Sequence, residues 1–160
     1  MEFLAGLHPE IVHFPIALLI TYGFLEIIGA IFRNDTFSKA AYVILILGVI
    51  GAVAAVLTGN QAGSAAKLLS AKDAAIPLGA ISRHETYANI SVWFFAGILV
   101  IRTYFVVKKK FTGAVKFLFI ILALIGSYFI FEAGLKGGEL VFEHGVGTEL
   151  INGDQSNNSK

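Results

Sequence analysis

Four stretches of the chain are long, apolar and nearly free of charge, and they leave few folds open. Ile11 to Phe32 offers 22 residues with one acid, Glu26, while Ala40 to Leu57 carries no charge at all. Tyr87 to Val107 contains only Arg102, near its far end. Gly113 to Leu135 has Lys116 close to its start and Glu132 close to its end. A helix needs about 20 such residues to cross a bilayer, and charges near its ends can reach the interface. The whole chain of 160 residues is 56% apolar and 14% charged, against about 25% charged in ordinary soluble domains. These features predict an all-α integral membrane four-helix bundle with helices at about 11–32, 40–58, 86–107 and 113–135. They form one domain over 1–150, followed by a disordered tail, 151–160. The ten residues before Ile11 hold no Lys or Arg, and no small-x-small site follows, so the first stretch reads as a permanent helix rather than a secretory signal.

Charge asymmetry orients the bundle. The loops Arg33 to Lys39 and Lys108 to Lys116, with Glu26 and Arg102, carry seven basic and two acidic residues; the opposite side carries five basic and nine acidic. Lys108, Lys109 and Lys110 stand directly beside a helix end, where the positive-inside bias acts. Both termini are therefore expected on the outer, periplasmic side of a bacterial inner membrane. The same lysines are read as a topology signal and not as a nucleic-acid patch, so the expected partner is the lipid bilayer.

The absence of cysteine excludes disulfides, thiolate zinc sites, iron–sulfur clusters and c-type haem. Met1 is the sole methionine, so a His/Met axial pair is not expected. A bound metal must use nitrogen or oxygen. Between the second and third spans, Ala65 to Ala75 could form a short interfacial helix. Ser82 and Glu85 stand in capping-box spacing, which would place His84 in the first turn of the third span. Gly137 and Gly138 are expected to break the fourth helix, with the following tail folding back over the outer mouth.

All four histidines fall on the outer side: His8 and His13 at the entrance of the first span, His84 at the entrance of the third, His144 after the fourth. Antiparallel packing brings those positions to one level. His8 and His13 lie five residues apart, about 140° around a regular helix, and Pro9 and Pro15 stagger or kink that entry. They cannot share one face of a regular helix. The stripe Gly48, Gly51, Ala52, Ala55 and Gly59 in the second span favours close helix packing over cofactor clearance.

The segments HPEIVHFPIALL (His8 to Leu19), TGNQAG (Thr58 to Gly63), RHE (Arg83 to Glu85) and GGELVFEHGVG (Gly137 to Gly147) resemble a bacterial membrane-protein family, domain-of-unknown-function family 2231. The resemblance spans nearly the whole chain. It implies four membrane helices with histidines near one surface, and a family whose members sometimes sit beside electron-transfer modules. Its histidine positions are matched by His8, His13, His84 and His144.

Three readings of the histidines follow. In the first, they ligate haem b for electron transfer, with His13 and His84 as the pair for a single haem and His8 with His144 completing a second centre. Arg83 and Lys67 or Lys72 would meet propionates. In the second, they hold copper, zinc or iron with Glu85, Glu143 and Glu132 as oxygen donors. The third is a structural subunit or scaffold without a cofactor. No nucleophile elbow, phosphate loop or dinucleotide fingerprint occurs, so an electron carrier or subunit fits better than a stand-alone enzyme. A redox partner protein, a quinone or an oligomer remains compatible with the sequence. Glu26 and Arg102 sit at comparable depth in the inner half and are expected to form a structural buried pair, or Glu26 to be protonated, because an unpaired ion there is costly.

Overall fold

The computed structural model describes residues 2–70 and 77–144. They form five helices: α1 (Glu2–Ile11), α2 (His13–Ile31), α3 (Asp35–Ser70), α4 (Leu78–Val107) and α5 (Ala114–Phe142). Four segments, Leu7–Ile31, Asp35–Leu68, Leu78–Val107 and Ala114–Phe142, are long and apolar enough to cross a membrane. The protein is an all-α bundle, and α1 with α2 makes up the first span.

Proline explains why that span has two parts. Pro15 has no N–H for the Ile11 carbonyl and its ring presses on that group, and the regular helix is interrupted at Val12. Chain reversal after α2 and after α4 uses the same device twice. The Asn34 N–H bonds the Gly29 carbonyl and the Arg33 N–H the Ala30 carbonyl; Lys110 and Lys109 do the same to Phe105 and Val106. Both are Schellman closures, which need a left-handed residue and usually take glycine there. Here Arg33 (φ 49°) and Lys109 (φ 53°) take it, placing cations where the helix dipole favours them.

The helices pack as adjacent pairs, α2 with α3 and α4 with α5, closed by α3 on α4 and α2 on α5. The interior is built from Leu19 and Tyr22 of α2, Leu45 and Val49 of α3, Phe95 and Ile98 of α4, and Phe119 and Ala123 of α5. Glycine sits under the largest of these. A Cβ at Gly48 would lie 2.6 Å from Leu19, and one at Gly126 would lie 2.5 Å from Phe95. Outward faces are apolar as well: Trp93 is 75% and Phe32 71% exposed. Large ring surfaces so presented are suited to lipid and not to water.

Three boundaries differ from the sequence expectation. The second span continues past 58 to Ser70, so Thr58 to Gly63 is helical and the expected interfacial helix is, up to Ser70, the end of α3. The third begins at Leu78, directly after Pro77, instead of at 86. Ser82 and Glu85 consequently form no capping box: the Ser82 carbonyl accepts from the Thr86 hydroxyl and Glu85 faces Lys67. The fourth runs through Gly137 and Gly138 to Phe142. Each glycine costs a helix about 1 kcal/mol, but Gly63 and Gly137 sit against Glu85 and His84, where a larger residue would collide. The expected fold-back and the tail 151–160 lie outside the described residues.

Candidate functional site

Two histidines meet at the end of the bundle where α1 begins. His8 stands in the last turn of α1 and His84 two turns into α4. Their ring centres are 6.2 Å apart with planes inclined at 68°. Two glycines allow both rings to enter. A Cβ at Gly59 of α3 would lie 2.9 Å from His8 Cε1, and one at Gly137 of α5 would lie 3.1 Å from His84 Cε1. The ring pair is thus walled by four helices at once.

Hydrogen bonds anchor Nδ1 of each ring. The Thr58 hydroxyl lies 3.1 Å and 3.0 Å from the carbonyls of Ala54 and Ala55 and 3.1 Å from His8 Nδ1; when its one proton goes to a carbonyl, it accepts from His8 Nδ1–H. His84 Nδ1 lies 2.9 Å from the Ala133 carbonyl, which only accepts. A neutral imidazole donating through Nδ1 presents a bare Nε2 lone pair, the form that binds metal, with the opposite nitrogen anchored in the manner typical of ligating histidines.

His13 is not part of this pair. It opens α2 on the exposed side, its Nδ1 donating to the Pro9 carbonyl at 2.7 Å. The interruption at Val12 separates its face from that of His8, and the His13–His84 pairing expected from the sequence gives way to His8–His84. His144 is exposed and joins Glu139 and Glu143, with one ligand atom from each within 4.8 Å of the others; it does not pair with His8 among the described contacts. Glu85 turns to Lys67 (3.5 Å), and Arg83 to Glu139 (3.5 Å), so the two rim cations expected to meet propionates already hold carboxylates. Lys72 lies outside the described residues. Glu132 is half-buried on α5. Thr58, Gly59 and Gly137 were not singled out in the sequence as part of a histidine site, although the TGNQAG and GGELVFEHGVG segments contain them.

At the other end, about 27 Å along α4 by the 1.5 Å rise over 18 residues from His84, Arg102 is 1% exposed. It pairs with Glu26, donates to the Ser38 carbonyl at 2.6 Å and lies 4.4 Å from the centre of the Phe111 ring.

The segments that build the histidine site are those of the resemblance noted above. The sequence profile of the family described as predicted membrane protein (DUF2231) matches residues 5–150. The chain belongs to this family. No curated protein and no solved structure matches it. In this DUF2231 protein, the four segments HPEIVHFP, TGNQAG, RHE and GGEL are far apart in sequence and contribute His8, Thr58 with Gly59, His84 and Gly137 to one place.

Proposed function

We propose that this protein holds a redox metal centre, haem b, between His8 and His84, and carries electrons at the periplasmic face of a bacterial inner membrane with both termini outside. The observation that supports it is the pair of imidazoles, each anchored through Nδ1, at a ring-centre separation of 6.2 Å. Without Cys, and with no Met beyond Met1, histidine is the nitrogen or sulfur donor this composition offers a haem. When bound, the haem would supply one-electron exchange; His8 and His84 would hold it, and Thr58 and the Ala133 carbonyl would fix the tautomers. The excess of Arg and Lys on the opposite loops supports the orientation.

A non-haem copper, zinc or iron site is the second reading, favoured by the Glu139, Glu143 and His144 group. Porphyrin extraction and elemental analysis of detergent-purified protein, expressed with ample haem, separate the two. The proposal expects close to one haem b per chain. Stoichiometric metal without porphyrin supports the second reading, and protein carrying neither overturns both.

Thr58→Val keeps the shape of the side chain but removes the acceptor for His8 Nδ1–H. Loss of such a partner lowers metal affinity by roughly 10–100-fold. Titration of apo protein with haem is expected to show that loss, with Thr58→Ser restoring affinity and the helical content unchanged in both.

A further inference from the structure

The two turns at the end of the bundle opposite the histidine pair carry six cations, Arg33, Lys39, Lys108, Lys109, Lys110 and Lys116, against one acid, Asp35. Asp35 is taken by Lys116 at 2.7 Å. The other five cations are exposed and hold no carboxylate among the described residues. The histidine end is built differently. Its described cations, Lys67, Arg83 and Lys136, each reach a glutamate. The uncompensated charge is confined to one end of the bundle, where no other described residue neutralises it.

Both turns are anchored. The Asn34 side chain accepts the Thr36 N–H at 2.9 Å, and Phe111 packs inward, its ring 4.4 Å from the Arg102 guanidinium and 5.2 Å from the Phe119 ring. Arg33 and Lys109 occupy left-handed positions, with φ of 49° and 53°, that glycine takes with less strain. The helix dipole is served as well by a cation one residue earlier, in ordinary helical backbone. Membrane insertion counts charges over a short loop and is indifferent to their place within it. Neither effect calls for a cation at both strained positions. Next to each cationic turn the chain also presents an exposed apolar side chain: Phe32, 71% exposed, before Arg33, and Val107, 71% exposed, before Lys108.

We propose that these turns bind anionic phospholipid of the phosphatidylglycerol type, with one headgroup at Arg33 and another at Lys108 to Lys110, and acyl chains along Phe32 and Val107. Two lipids are invoked because α2 and α4 do not pack against each other, which puts the turns at separate corners of the bundle. Charge selects the head. Phosphatidylcholine brings a choline cation with its phosphate, so basic side chains gain little from it, whereas phosphatidylglycerol brings net negative charge. The apolar side chain beside each cluster selects a lipid over free phosphate. The inference is independent of the histidine centre and of which side of the membrane the turns face.

Native mass spectrometry of the detergent-purified protein, titrated with phosphatidylglycerol and separately with phosphatidylcholine, tests this. Phosphatidylglycerol is expected to bind roughly tenfold more tightly or better. Arg33→Gly/Lys109→Gly removes one cation from each turn and relieves the backbone there. Its affinity for phosphatidylglycerol should fall about fivefold at each turn, while its thermal midpoint in phosphatidylcholine nanodiscs holds or rises. Lys108→Gln/Lys110→Gln leaves the left-handed residues in place and should lower the preference too. Lys67→Gln/Lys136→Gln, at the histidine end, should leave it unchanged. Equal affinity for the two lipids, wild-type preference in either turn variant, or an equal loss in the Lys67→Gln/Lys136→Gln control would overturn the proposal. Displacement of phosphatidylglycerol by equimolar inorganic phosphate would overturn it as well, by showing a site for the free ion.

Discussion

If His8 and His84 hold haem as proposed, His84→Ala and His8→Ala are each expected to reduce bound haem to below a tenth of the wild-type level, and His13→Ala to retain nearly all of it. The asymmetry follows from geometry and not from residue type. His8 and His84 face each other across 6.2 Å, each seated on a glycine and each held through Nδ1. His13 has the same kind of Nδ1 bond, to Pro9, but its ring is exposed and no second imidazole is opposed to it among the described contacts. Losing either histidine would remove half of the coordination proposed for the protein, and the other described donors are engaged elsewhere: Glu85 is drawn to Lys67, and His144 sits among Glu139 and Glu143. Haem content per purified chain is the measurement. Equal losses in all three variants would contradict the assignment of the pair.

Glu26→Ala is expected to destabilise the bundle by about 3–5 kcal/mol, the cost of leaving a buried charge without its partner. Arg102 cannot escape by losing its proton, because guanidinium stays charged in proteins. Its position is also fixed by Ser38 and by the face of Phe111. Arg102→Ala should cost less on the charge side, since Glu26 can neutralise itself by taking a proton, but it empties a space within an aromatic box that includes Tyr22 and Phe119. The exchange Glu26→Arg with Arg102→Glu should recover more than half of the larger single loss. Thermal or denaturant midpoints in detergent measure this. Single variants as stable as wild type, or an exchange worse than either, would contradict a structural pair. Because this network lies about 27 Å from His84 along α4, the variants should retain the wild-type haem stoichiometry in whatever fraction folds.

The four spans were legible because bilayer crossing demands length and apolarity, and little else in a chain of this size produces both. Helix ends were less so. The glycines of Thr58 to Gly63 read as a loop by propensities that hold in water, yet α3 continues through them, since membrane helices tolerate glycine and gain close packing from it. The Ser82 and Glu85 pattern suggested a helix start for a local reason that Pro77, five residues earlier, overrides. His8 and His84 could be named from the sequence, but their pairing could not. It depends on the break at Val12, which turns α1 so that His8 reaches Thr58, and on Gly59 and Gly137, whose contribution is the absence of a side chain against rings more than 50 residues away in the chain. Neither effect leaves a periodic signal. The Glu26 and Arg102 pair was legible because two isolated charges at matched depth in apolar helices have one inexpensive arrangement.

The most direct test of the histidine centre is the dithionite-reduced minus oxidised absorption spectrum of the detergent-purified protein, recorded beside that of the His8→Ala/His84→Ala double variant. The account predicts the sharp Soret and α-band changes of a low-spin, six-coordinate b-type haem in the wild-type protein and a flat trace in the double variant. A featureless wild-type spectrum after expression with ample haem, or an unchanged spectrum in the double variant, would contradict it.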